Sequence, residues 1–212
     1  ALVAGAHRAG RTMSAAGVAP ELSRAMHVVI DMQRLFADHP DWGVKDIARI
    51  RPEVRRLAEK KPGRTFWTRF IPAESAAAAT GCWRRYYEDW PRATLEGGGR
   101  DYVDLLPEHR LLAGKAAVFD KPGFSAFTSE RFVAALRAVE SDALILSGVE
   151  TDVCVWATAL DAAGDGDEGD LPRDAMTSFS PEAHAATLDV IAPRFAPQLV
   201  VMSASELDAA WH

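Results

Sequence analysis

Ala143-Leu144-Ile145-Leu146-Ser147-Gly148-Val149-Glu150-Thr151-Asp152-Val153-Cys154 is the stretch whose reading decides the fold. Residues 143–147 form a short apolar run, the signature of a buried strand, and Gly148 to Thr151 lead into a helix expected over 152–163. Similar runs lie on either side of it. Met26-His27-Val28-Val29-Ile30 ends at Asp31; residues 64–68, 116–119 and 198–202 also read as strands. Helices separate them. Val44, Ile47, Ile50, Val54 and Leu57 recur at helical spacing over 44–60, with Pro52 either kinking that helix or starting a second one. Residues 129–139 read as another, Ser180-Pro181 caps the next, and Ser203-Ala204-Ser205-Glu206 is a capping box. Strands alternating with helices specify an α/β domain with a mostly parallel sheet.

The chain has 212 residues, enough for one domain with a sizeable core. Residues 26–212 are read as that domain, with no repeat or internal boundary. Residues 1–25 are read as a flexible arm, lacking the apolar stretch of a secretory signal. A net charge of −6 argues against nucleic-acid binding, which leaves a basic footprint. No apolar run reaches the ~20 residues of a membrane span. Cys82 and Cys154 stand far apart without a CxxC pattern, which fits a reducing, cytoplasmic setting.

Asp31 directly follows the first expected strand, Lys121 lies two residues beyond the third, and Cys154 sits in the first turn of the helix after the fourth. Open α/β sheets bind ligands beyond the carboxyl ends of their strands, so these groups converge on one rim. A helix N-terminus and a neighbouring lysine lower a thiol pKa. Asp31 is placed to take the thiol proton and return it to a leaving amine, with Lys121 holding the carboxylate and stabilising the thiolate. Backbone N–H groups before Cys154 suit an oxyanion. The chemistry would be attack on a carbonyl, a thioester, then hydrolysis. Singly, each residue has a plainer reading: a small buried hydrophobe, a turn acid, a solvated lysine. Only their joint placement favours reactivity.

Val28-Val29-Ile30-Asp31-Met32-Gln33, Asp120-Lys121-Pro122 and Gly148-Val149-Glu150-Thr151-Asp152-Val153-Cys154-Val155 resemble, in order and spacing, three motifs of the isochorismatase-like cysteine hydrolases. Arg173-Asp174-Ala175-Met176, Ser178 and His184 resemble the segment that follows them in the family. The resemblance implies a three-layer α/β/α fold of Rossmann-type topology. It implies a triad with Cys154 as nucleophile, Asp31 as acid/base and Lys121 as its partner. It also implies a cis peptide between Val149 and Glu150 that aims the N–H groups of Glu150 and Cys154 at the oxyanion. A cysteine here favours amide or carbamoyl C–N cleavage over vinyl-ether cleavage. A homodimer or homotetramer is also implied. The other classes left open are a catalytically idle binding module and a vinyl-ether hydrolase.

The chain departs from the family pattern twice. Thr68-Arg69-Phe70-Ile71-Pro72 lacks the histidine of the nicotinamidase metal site, and none of the six histidines shows ligand spacing, so no metal is expected. Gly164-Asp165-Gly166-Asp167-Glu168-Gly169-Asp170 stands where the family has a hydrophobic strand. It follows a helix, and its acids would repel a pyrophosphate, so no cofactor is expected. A flexible acidic loop is the first reading; a local reading-frame error replacing a strand is the second.

The pocket for a small-molecule substrate is expected from the loop 69–90. Arg69 either grips a substrate carboxylate or carbonyl or forms a surface salt bridge. Phe36, Trp83, Tyr86 and Phe124 are either aromatic walls or core, and Cys82 reads as structural.

Overall fold

The computed structural model describes residues 22–114, 117–141 and 143–212. Seven strands, β1 (Met26–Ile30), β2 (Thr65–Phe70), β3 (Val118–Lys121), β4 (Ala143–Val149), β5 (Glu168–Pro172), β6 (Met176–Thr177) and β7 (Leu199–Met202), make one sheet. Its order is β3-β2-β1-β4-β5-β7, with β6 also on β4, and every ladder is parallel. The helices are α1 (Arg34–Ala37), α2 (Ile47–Lys60), α3 (Cys82–Asp89), α4 (Pro107–Ala113), α5 (Glu130–Ala138), α6 (Trp156–Asp165), α7 (Pro181–Ala186) and α8 (Ala204–Ala210).

Parallel sheets need cover on both faces, and the period of two along each strand supplies both. Met26, Val28, Ile30, Leu144 and Leu146 pack with Phe132 of α5 and Ala159 of α6 on one side. Val29, Ile145 and Val149 pack with Ile50, Val54 and Leu57 of α2 and Leu207 of α8 on the other. The result is the three-layer α/β/α sandwich expected from the sequence. From β1 the chain adds strands outward in one direction, to β2 and β3, and from β4 in the other, so the order reverses between β1 and β4, creating the crevice in which such folds bind ligands.

Three expectations are corrected here. The acidic run is not a loop throughout: Glu168, Gly169 and Asp170 open β5 and pair with Ala143, Leu144 and Ile145 of β4. A ladder joins backbone groups, which every non-proline residue carries, so a polar segment enters a sheet once neighbours flank it on both sides. β3 runs on to Lys121, which pairs with Phe70 rather than lying beyond the strand; Ala116, its expected first residue, is outside the described residues. Of the expected arm, residues 1–21 are likewise outside them. Leu22 and Ala25 are buried, however, and the Leu22 N–H donates to Ala210 O at 2.8 Å, so the packed domain includes them.

Candidate active site

β1 delivers Asp31 to the crevice in the left-handed region, with φ 51. The Thr68 hydroxyl, at the same level on β2, donates to Asp31 Oδ1 at 2.7 Å. Lys121 closes the group from the end of β3. Its Nζ lies 2.7 Å from Asp31 Oδ2 and donates to the carbonyls of Gly123 and Phe124 at 3.0 and 2.8 Å. Burial lowers the Lys121 pKa, but the charges of Asp31 and Cys154 outweigh it and the net direction is up, so the ammonium form is held.

Cys154 comes from the turn after β4. Thr151–Val155 wind as a single π-helical turn before α6, in which the Val155 N–H donates to Glu150 O at 3.0 Å. Thr158 Oγ1 donates to Cys154 O at 2.8 Å and accepts from the Ala126 N–H at 3.0 Å, fixing this turn to the segment after β3. The peptide between Val149 and Glu150 is cis. Asp31 and Lys121 are the side chains that act electrostatically on the thiol.

The electrostatics differ from the sequence expectation of a lowered thiol pKa. Burial pushes the Cys154 thiol up, Lys121 draws it down, and Asp31 adds to the rise; the net direction is up. The resting sulfur is therefore a thiol.

A cavity of about 450 Å³ opens above Cys154. Phe36, Trp83, Tyr86 and Phe124 line it. Arg69 does not. Its guanidinium forms a bidentate pair with Asp120 at 2.7 and 3.0 Å and reaches Asp104 at 3.0 Å, the salt-bridge alternative. The ladder places Arg69 opposite Asp120, and the adjacent opposite charges capture each other. Sequence reasoning missed Trp42, Phe70, Trp90 and Phe179 in the walls, and Asp41 and Glu150 as their charged members. Glu150 lay in the quoted motif but was read only for its backbone. Cys82 is exposed at the start of α3 and is not part of the lining.

Among the described residues no three His, Cys, Asp or Glu side chains gather to hold a metal ion. His39, near the cavity, is already committed: its Nδ1 accepts from the Asp41 N–H and its Nε2 reaches Arg92 O, both at 3.2 Å. The side chains present do not fit the metal set of the nicotinamidases. No helix among the described residues is long and apolar enough to cross a membrane.

An acid, an ammonium and a thiol gather at the switch point of a parallel sheet. Residues 25–203 match the isochorismatase domain, and the chain belongs to the isochorismatase family. It is 34% identical over 104 residues to an uncharacterized isochorismatase family protein of Bacillus subtilis (strain 168), a stretch covering 48% of this chain and 57% of that protein. The chain spans about half the length of the curated relatives it matches. Among solved structures it resembles a cysteine hydrolase from Pseudomonas syringae pv. phaseolicola 1448A, with TM-score 0.69, 21% identity, and 88% and 92% of the two chains covered. It also resembles N-carbamoylsarcosine amidase from Thermoplasma acidophilum, with TM-score 0.64, 18% identity, and 85% and 96% covered. At these identities the likeness establishes the fold.

Proposed function

We propose that this chain hydrolyses a non-peptide C–N bond of a small amide, imide or ureido compound through a thioester on Cys154. The observation that carries the reading is the convergence of Asp31, Lys121 and Cys154 beneath one largely apolar cavity. The amidase among its structural neighbours supports the same bond class.

Asp31 takes the Sγ proton as sulfur attacks the carbonyl carbon, so the negative charge passes to the carbonyl oxygen. The N–H groups of Glu150 and Cys154 are the proposed donors to that oxyanion. When the intermediate collapses, the C–N bond breaks and the leaving nitrogen receives the proton from Asp31. Water then gives its proton to Asp31 and attacks the thioester; the departing sulfur takes that proton, restoring the carboxylate and the thiol. Lys121 stays charged throughout and balances the negative charge shared by carboxylate and sulfur.

Ammonia release, screened over small amides and ureido compounds, tests the reading, with Cys154→Ala as control. Release that disappears in the variant supports it. Release retained without the sulfur overturns the mechanism.

A further inference from the structure

The cavity's walls and its charges select the same kind of ligand. Trp42, Trp83, Tyr86 and Phe124 line the cavity with aromatic rings, whose quadrupoles attract positive charge; the Phe70 ring already carries the Lys121 ammonium at 5.3 Å from its centroid. Its charged wall residues are both acids, Asp41 and Glu150, and no Lys, Arg or His is among them. A substrate carboxylate or phosphate would find no counter-charge there, because Arg69 is spent on Asp120 and Asp104.

The two acids are not equivalent. Asp41 is paired with Arg92. Glu150 has no basic partner among the described residues; its Oε2 accepts one hydrogen bond, from the Phe179 N–H at 2.8 Å. Asp152 adds further negative charge beside it, and Asp152 Oδ1 is buried without a hydrogen-bond partner. Burial, together with Asp152, raises the Glu150 pKa despite the Phe179 hydrogen bond. A carboxylate without a counter-ion, set in an aromatic chamber, is stabilised by whatever cation enters.

We propose that the substrate is cationic: an amide or ureido compound whose remote end is a substituted ammonium, seated between the aromatic rings and the Glu150 carboxylate. The choice of scissile group rests on the reading of Cys154 given above; the preference for a cation does not. Trp42 stands 6.4 Å from Phe36 and 6.0 Å from Tyr86, and Trp83 stands 4.9 Å from Phe124, between ring centroids. The rings thus brace one another into a fixed wall, and a bulky ammonium gains from several faces at once. Tyr86 shares this lining with both Glu150 and Cys154 and so carries the wall toward the chemistry.

The experiment has two arms. In the first, three butanamides ending in trimethylammonium, tert-butyl or carboxylate are compared by kcat/KM for ammonia release. The first two share a shape and differ in charge. The cation should exceed its neutral isostere by roughly tenfold, the scale of a desolvated cation–π contact, with the carboxylate slowest. Glu150→Gln should shrink the cation-to-neutral ratio toward one. In the second arm, tetramethylammonium or tert-butanol is added to the intact protein during iodoacetamide treatment at alkaline pH, and Cys154 and Cys82 are followed separately by mass spectrometry. Tetramethylammonium should slow modification of Cys154 and leave Cys82 unchanged, and Glu150→Gln should weaken that protection. Protection without hydrolysis of any butanamide would sink the C–N reading and leave the cation site standing. Equal protection by both additives, or none by either, overturns the cation site, as does a cation-to-neutral ratio that Glu150→Gln leaves unmoved.

Discussion

The Lys121 ammonium and the Asp31 carboxylate meet at 2.7 Å with neither side chain reaching solvent. Two charges so placed are held by each other, by Thr68 Oγ1 and by the Gly123 and Phe124 carbonyls. Removing one of them strands the other in a medium that solvates it poorly. Lys121→Met should therefore cost about 3–5 kcal/mol of stability, the usual penalty for breaking a buried pair. The double variant Asp31→Asn/Lys121→Met should recover most of that stability in urea unfolding and none of the activity. A double variant as unstable as the single one would show that the pair is not coupled as the distance indicates.

Asp31 and Lys121 act on the Cys154 thiol with opposite signs, Asp31 raising its pKa and Lys121 lowering it. Asp31→Asn should thus increase the rate of Cys154 alkylation at a given pH while abolishing turnover, and Lys121→Met should slow both. In the unsubstituted chain, Cys154 should lag behind exposed Cys82 near neutral pH and gain on it as pH rises. Peptide-resolved mass spectrometry separates the two sulfurs. Faster labelling of Cys154 than of Cys82 at neutral pH would contradict the thiol's upward shift.

Burial sets a second pH dependence far from the site. His27 lies wholly inside, its Nε2 2.7 Å from Ser147 Oγ and its ring edge-on to Trp211 at 5.9 Å. Burial, helped by His109, lowers its pKa from 6.5 to about 3. The unfolded chain takes up this proton before the folded one does, so the stability is intact above about pH 6.5 and drains away as pH falls toward 3. His27 alone contributes a slope of about 1.4 kcal/mol per pH unit in that window. His109, also lowered chiefly by burial, acts in the same sense. His27→Gln should flatten the fall in unfolding free energy between neutral and mildly acid pH. A slope unchanged by the substitution would assign the acid sensitivity elsewhere.

Most of the fold was legible because its strands end in chemistry. β1 and β4 are apolar runs that stop at Asp31 and at the turn to Cys154, so both strand and site residue could be read together. β5 was illegible for the converse reason. Glu168, Gly169 and Asp170 carry no strand signal of their own, and their place is imposed by β4 on one side and β7 on the other. β6 is two residues long, too short to show any period. The triad could be proposed from positions alone, whereas the walls depended on loops. Trp42 and Phe179 reach the cavity from segments far apart in sequence, and no local pattern announces that they meet. Arg69 was undecided because its partner Asp120 becomes adjacent only when β2 and β3 pair.

Gly148 of β4 stands opposite Ile30 of β1, and its φ of 109 is one that side chains rarely adopt. A Cβ there would sit 2.0 Å from Ile30 O and 2.9 Å from Ile30 C, atoms that cannot turn away. Ile30 immediately precedes Asp31, so any widening between β1 and β4 also draws the acid from the sulfur. Gly148→Ala should cost more than about 3 kcal/mol by urea unfolding, in the range reserved for backbone strain and overpacking. Residual folded protein should show depressed activity. Gly164, inside α6 with nothing within 4 Å of its would-be Cβ, supplies the control. Gly164→Ala should leave activity intact and stabilise the chain by about 0.5–1 kcal/mol, because alanine loses less backbone entropy in a helix. Equal effects of the two substitutions would mean that the β1–β4 contact is looser than the ladder between them implies.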